Sequence, residues 1–321
     1  MTTSGIKATR RAHADVVALI RADRGDPAQA CRAARDRLAA LAPGEPEDPA
    51  TWESYRLLTS DVQTLLGYLR EAGVPISTPS AFRTLLIRIL CYLYAAENAS
   101  LGKILATEIL QAWTAELGKS HPSTIDVTER LAACHHGLSE LQQARTLLET
   151  VLRARTEARG AEDPATLLAA ANLGACLNAA GDFHDALRQN EGTVRRCDLA
   201  LSKDHETTLL ATENLAGSLY GLDDHRLSLA VFRDVLQRRT VKDGADSLTT
   251  MYTAKNVAEV LHKLGDYEEA LAIDKELLSR FERLVGKRHS ATGSTRRRLI
   301  RDLRALGRAE EADAIEGNSG P

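Results

Sequence analysis

Three asparagines, Asn172, Asn214 and Asn256, stand 42 residues apart, each followed by an apolar and then a small residue. A carboxamide carries both donors and an acceptor, which suits the alternating C=O and N–H groups of an extended peptide. The same group can instead cap or brace a neighbouring helix, so residue type alone leaves two uses open. A second cluster, Arg297, Arg298, Arg301 and Arg304, crowds into one short run near the C-terminus. Guanidinium forks suit a carboxylate or phosphate, although a solvated end cap would be built from the same residues. Cys134-His135-His136, with Cys176 and His262 elsewhere, lacks the spacing of a metal site, so packing or surface roles are expected. The chain has no Gly-rich phosphate loop, no His-Glu-x-x-His and no Gly-x-Ser-x-Gly. No catalytic residue, metal or cofactor is expected.

The asparagine period extends along the chain. Thr124, Thr166, Thr208, Thr250 and Thr292 keep it, as do Leu131, Leu173, Leu215, Val257 and Leu299. So do Ala144, Ala186, Ser228, Ala270 and Ala312, which gives five repeats from about Gly118 onwards. Each repeat reads as helix, turn, helix. In the fourth, Asp246 or Ser247 can cap the first helix. Val257, Ala258, Leu261 and Leu264 recur at helical spacing. Gly265-Asp266 breaks the run, and Ala270, Leu271, Leu277, Leu278 and Phe281 form the apolar face of a second helix.

The turns Leu264-Gly265-Asp266-Tyr267-Glu268-Glu269-Ala270-Leu271 and Ala180-Gly181-Asp182-Phe183-His184-Asp185-Ala186-Leu187 resemble those of tetratricopeptide repeats. The longer period and the leading segments Gly118-Lys119-Ser120-His121-Pro122-Ser123-Thr124 and Gly160-Ala161-Glu162-Asp163-Pro164-Ala165-Thr166 are similar to the kinesin-light-chain type. The resemblance covers residues 118–312 and implies an all-α, right-handed α-solenoid of stacked antiparallel helix pairs. It also implies that the first helix of each repeat lines a concave groove. The family's groove positions fall here on Arg130, Asn172, Asn214 and Asn256, with Glu213, Lys255, Glu259, Tyr220, Tyr252 and His262 beside them. Arg297, Arg298, Arg301 and Arg304 occupy groove positions of the last repeat, where the expected ligand is an anion. In proteins of this kind the equivalent asparagines often clamp a bound peptide.

The remaining chain agrees with an array. Residues 1–75 read as an N-terminal helical region packed on it, with Asp15 to Arg21 apolar on one side and Asp26-Pro27 opening a further helix. Residues 48–73 read as a helical pair or one long helix. Residues 76–117 read as a degenerate repeat, 118–316 as the five clear repeats and 317–321 as a disordered tail. Aromatics are only 4 %, and Ala and Leu dominate, as closely stacked helices need. A net charge of −3 implies no bulk preference for nucleic acid or acidic membranes. No apolar leader or spanning stretch is seen, so a cytoplasmic protein is expected. A homodimer through the N-terminal helices or an edge helix is possible.

The leading expectation is a non-catalytic scaffold holding a peptide or protein segment in the groove. Two others stand beside it. One is a regulatory effector sensor, similar to the repeat arm of bacterial signal-transduction ATPases but without their nucleotide-binding loop. The other is an enzyme, or an accessory protein presenting a peptide to one.

Overall fold

The computed structural model describes residues 26–41 and 43–317, and these form 14 α-helices, one short 3-10 turn and no strand. The chain divides into two compact units, Met1–Ala154 and Arg155–Pro321. The first unit holds α1 (Pro27–Ala39), α2 (Trp52–Glu71), α3 (Ser80–Ala95), α4 (Ala99–Leu117), α5 (Pro122–Gly137) and most of α6 (Leu141–Arg159). The second holds α7 (Pro164–Ala180), α8 (Phe183–Ala200), α9 (Glu206–Gly221), α10 (His225–Asp243), α11 (Leu248–Leu264), α12 (Tyr267–Leu284), α13 (Ser290–Ala305) and α14 (Ala309–Gly317).

In the first unit α1 packs on α2 and α3, and α3 packs on α4 and α5. Asp26 caps α1 by accepting the Gln29 N–H at 3.0 Å, with Pro27 in the first turn. Residues 48–73 resolve into one long helix, α2, behind the 3-10 turn Pro49–Thr51. The core is built from Tyr55, Leu58, Leu65 and Leu69 of α2, Phe82, Leu86 and Ile89 of α3, and Ile109 and Trp113 of α4. The loop before α2 is pinned by Tyr55 Oη, which donates to Gly44 O at 2.8 Å, and by Trp52 Nε1, which donates to Pro46 O at 3.1 Å. The helix expected at Asp15–Arg21 lies outside the described residues. So does the tail beyond Gly317, which itself ends α14.

In the second unit each helix packs on its sequence neighbour, and first helices also touch across repeats, α7 on α9 and α11 on α13. The periodic residues explain the pairing. The threonines of the ladder are all buried. Thr208 and Thr292 each donate to a carbonyl six residues back, Ser202 O at 2.9 Å and Gly286 O at 2.8 Å, tying the helix start to the preceding loop. Every member of the small-residue ladder is fully buried, because a second helix must cross a first one closely there. Where that slot holds Ser228, its hydroxyl donates to Ala216 O at 2.8 Å, so the added polar atom is satisfied.

The turn between paired helices has one demanding position. Gly181, Gly265 and Gly307 sit there with φ of 80°, 86° and 73°. The same register falls on Ser139 (φ 59°) and Asp223 (φ 64°), and on Glu97 (φ 59°) in the degenerate repeat. The left-handed conformation is thus required by the turn and filled by glycine only in part. The expected cap of α11 differs in detail. Ser247 is the N-cap residue but makes no bond to the helix backbone; its hydroxyl pairs with Thr249 at 2.8 Å. Asp246 instead receives Arg283 at 2.9 Å. No described helix is long and apolar enough to cross a membrane.

Candidate functional site

Within the second unit the first helices of the last two repeats, α11 and α13, leave a recess of about 420 Å³ between them. Lys255, Asn256 and Glu259 of α11 line one wall, and Ser294, Arg297, Arg298 and Arg301 of α13 the other. These sit at 3–4-residue spacing, so one face of each helix supplies them. Six of the seven are residues that the sequence placed in the groove by resemblance.

The four arginines divide. Arg298 is buried at 7 % exposure and forks onto Asp274 of α12, with Nε donating to Oδ2 at 3.0 Å and Nη2 to Oδ1. Asp274 is fully buried, so this pair is structural. Arg301 forks onto Glu259, at 3.3 Å to Oε1 and 3.1 Å to Oε2. Arg304 points away from the recess and pairs with Asp313 at 3.4 Å and Glu316 at 2.6 Å on α14. Arg297 is exposed and makes no ion pair among the described residues. The expectation of four arginines on one anion is therefore corrected. Arg297 and Arg301 face the recess with usable charge, whereas Arg298 and Arg304 serve neighbouring helices.

The asparagines divide too. Asn214 Nδ2 donates to Ala171 O of the preceding first helix at 2.8 Å, and Asn214 O accepts Asn178 Nδ2 at 2.8 Å. Asn256 Nδ2 donates to Glu213 Oε1 at 3.3 Å and still borders the recess. Asn172 is half-buried and engaged within the chain. Of the two uses open to these side chains, bracing between repeats takes the amide donors of Asn214 and Asn256.

Other expected groove residues are also partnered. Glu213 accepts from the buried Arg239 at 3.4 Å, and burial raises its carboxyl above the usual range. His262 pairs through Nδ1 with the fully buried Asp302, so it braces α11 against α13, and its ring lies 5.2 Å from that of Tyr267, tilted by 57°. Tyr220 Oη donates to Glu259 Oε1 at 3.3 Å, and burial beside that carboxylate pushes the phenol up to about 12. Burial alone would raise Glu259, but Arg301 and Arg298 outweigh it and hold the carboxyl below its usual range. Lys255 lines the recess and Tyr252 is exposed, its ring 5.7 Å from Phe281. Arg130 lies in the first unit, bound to Glu129 at 3.1 Å and to Cys91 Sγ at 3.7 Å.

Several partners escape a sequence reading. Asp274 and Asn190 occupy the apolar stripe of their second helices, in a slot filled by Phe232 in between. A polar residue at a stripe position is a readable sign of a buried partner. Asp302 and Ser218 carry the same sign, since the period places them at the position of the buried Cys134, Cys176 and Val260.

Residues 125–196 and 246–316 match the model of the tetratricopeptide repeat. Among curated proteins none matches the sequence. Solved structures share the fold. NprR in complex with its cognate peptide NprX is 13 % identical, with a TM-score of 0.58 over 98 % of this chain and 89 % of that one. BtubC from P. vanneervenii is 16 % identical, with a TM-score of 0.53 over 72 % and 89 %. A Rap protein complexed with competence and sporulation factor is 12 % identical, with a TM-score of 0.50 over 88 % and 81 %.

Proposed function

Because the chain is a tetratricopeptide repeat protein, we propose that it is a non-catalytic scaffold that holds an extended peptide or partner segment against the first helices of its second unit. One observation carries this reading. The face formed by α11 and α13 keeps an exposed aromatic, Tyr252, and a cation with no ion-pair partner among the described residues, Arg297, beside a polar recess. Elsewhere on these helices polar groups are spent on bracing. An apolar anchor with a few polar groups converging nearby is what a peptide site needs. Leu168 and Leu210, half-buried at the position equivalent to Tyr252, extend the apolar row towards earlier repeats.

A fold neighbour supports the same class of ligand, since NprR was solved with its cognate peptide NprX. The second reading is an effector sensor whose repeats change curvature on binding. Small-angle scattering before and after ligand addition separates the two, because a plain scaffold keeps its dimensions.

The test uses a peptide array probed with the full chain and with the Tyr252→Ala/Arg297→Ala variant. Both side chains are exposed, so the circular dichroism spectrum should be unchanged while binding to the selected peptides is lost. Peptides bound equally by the variant would move the interface away from this face. An array with no peptide bound above background would remove the peptide reading altogether.

A further inference from the structure

The row Leu168, Leu210, Tyr252 and Ser294 sets one side chain per repeat at the same position of the first helices. Ser294 lines the recess, which fixes the side of the helix that this position occupies. We propose that the row measures its ligand: it takes a peptide in the polyproline II conformation, with an apolar side chain at every third residue over three steps and a carboxylate at the fourth. The proposal rests on the peptide reading and adds the ligand's period, conformation and charged end.

Spacing carries the period. α7 packs on α9 and α11 on α13. Between them α9 and α11 are tied by Asn256 Nδ2 donating to Glu213 Oε1 and Tyr220 Oη donating to Glu259 Oε1, each at 3.3 Å. Helices in such contact lie about 8–10 Å apart. A polyproline II helix turns once in three residues and about 9 Å, so every third side chain returns to the same face one first helix further on. A β-strand repeats its face after two residues and about 6.6 Å, and so falls out of step by the next helix.

Backbone chemistry selects the same conformer. A strand docked on protein needs partners for its N–H and C=O groups. Among the described residues there is no strand edge to pair with, and bracing takes the amide donors of Asn214 and Asn256. A polyproline II backbone makes no internal bonds and stays hydrated, so side-chain contacts suffice.

The side chains define the steps. Leu168 and Leu210 are half-buried, and Tyr252 is 37 % exposed beside the ring of Phe281. At the fourth position the row changes to Ser294, whose hydroxyl donates to Ala291 O at 3.1 Å. One turn on, Arg297 is exposed and folds back towards that level, since a Cβ built on Gly293 would lie 3.7 Å from its Nη1. A guanidinium beside the last step suits a carboxylate.

The experiment titrates fluorescein-labelled peptides on the full chain by anisotropy. The first peptide carries three leucines at every third position, an aspartate in the same step at each end to serve either chain direction, and proline elsewhere. The second has the same composition with the leucines at every second position. The stepped peptide should bind about tenfold tighter. Tyr252→Ala and Arg297→Ala should each weaken it about tenfold. Ser294→Leu extends the apolar row, and should tighten a stepped peptide ending in leucine instead of aspartate about tenfold, a gain that misfolding cannot produce. Glycine in place of proline keeps the step but loosens the conformer and should weaken binding. Glycine-spaced peptides that bind as tightly overturn the conformer. Equal binding of the two proline peptides, both lost in Tyr252→Ala/Arg297→Ala, overturns the step and leaves the peptide reading standing. So does a stepped peptide that fails while array-selected peptides depend on those two residues. Stepped binding that neither substitution weakens overturns both.

Discussion

Gly174 of α7 faces Asn190 of α8 so closely that a methyl group has nowhere to go. A Cβ built on Gly174 would lie 1.8 Å from Asn190 Oδ1 and 2.7 Å from its Cγ. Asn190 is fully buried and donates through Nδ2 to Ser218 Oγ of α9 at 3.0 Å, so it cannot swing aside into solvent. For Gly174→Ala, helix propensity favours the variant by about 1 kcal/mol. Overpacking opposes it by about 1–3 kcal/mol, and displacing a buried, hydrogen-bonded amide adds about 1–3 kcal/mol. The packing side wins, with a net loss of about 2 kcal/mol. Urea unfolding followed by far-UV circular dichroism reads this as a lower midpoint. Gly192→Ala in α8 is the matched control, since its Cβ meets nothing within 4 Å. It should gain about 0.5–1 kcal/mol from the same propensity term. Adding Asn190→Ala to Gly174→Ala removes the obstacle and should return much of the loss. A Gly174→Ala protein as stable as the Gly192→Ala one would refute the packing argument.

The remaining predictions concern the pairs and the turn. Asp274→Ala leaves Arg298 buried without its carboxylate and should cost about 3–5 kcal/mol, whereas Asp274→Leu with Arg298→Met should be close to neutral by the same urea assay. Ser139→Gly relieves a left-handed backbone and should raise the melting temperature, with a gain of about 1 kcal/mol. Glu206 is acted on from two sides: burial would raise its carboxyl, but Arg239 and Lys242 hold it below the usual range. The ionised form is thus favoured by folding, so its contribution is present above the unfolded carboxylate value of about 4.3 and lost as pH falls through the lower folded value. Glu206→Gln should accordingly flatten the acid side of a midpoint-versus-pH curve, and an unchanged slope below about pH 4.5 would contradict the assignment.

Much of the fold could be read from the chain because it is written several times over. The threonine, leucine and small-residue ladders each report one packing constraint, and repetition separates that constraint from local accident. Even the degenerate repeat kept its register, visible in the positive φ of Glu97 at the turn position. The candidate site was less legible for the same reason. Groove positions follow from the repeat, but whether a side chain there is free depends on its partner in the next helix. Asn214 finds Ala171 O, and His262 finds Asp302. Both contacts span about one repeat, and only assembled helices reveal them. Arg298 was misread because Asp274, its partner, sits on a second helix that the groove pattern does not include.

The left-handed turn has a consequence for how such a chain changes length. Each helix pair closes through its own local backbone reversal, and the reversal tolerates Ser139, Asp223 and Glu97 as well as glycine. The instruction to fold back is therefore carried inside every 42-residue unit and borrowed from no neighbour. Insertions or losses of whole units keep every later helix on its proper face, while a single added residue inside a helix would rotate its face out of register. Length in this chain is thus counted in whole pairs, and the ladder of face-setting residues can be extended or shortened one rung at a time.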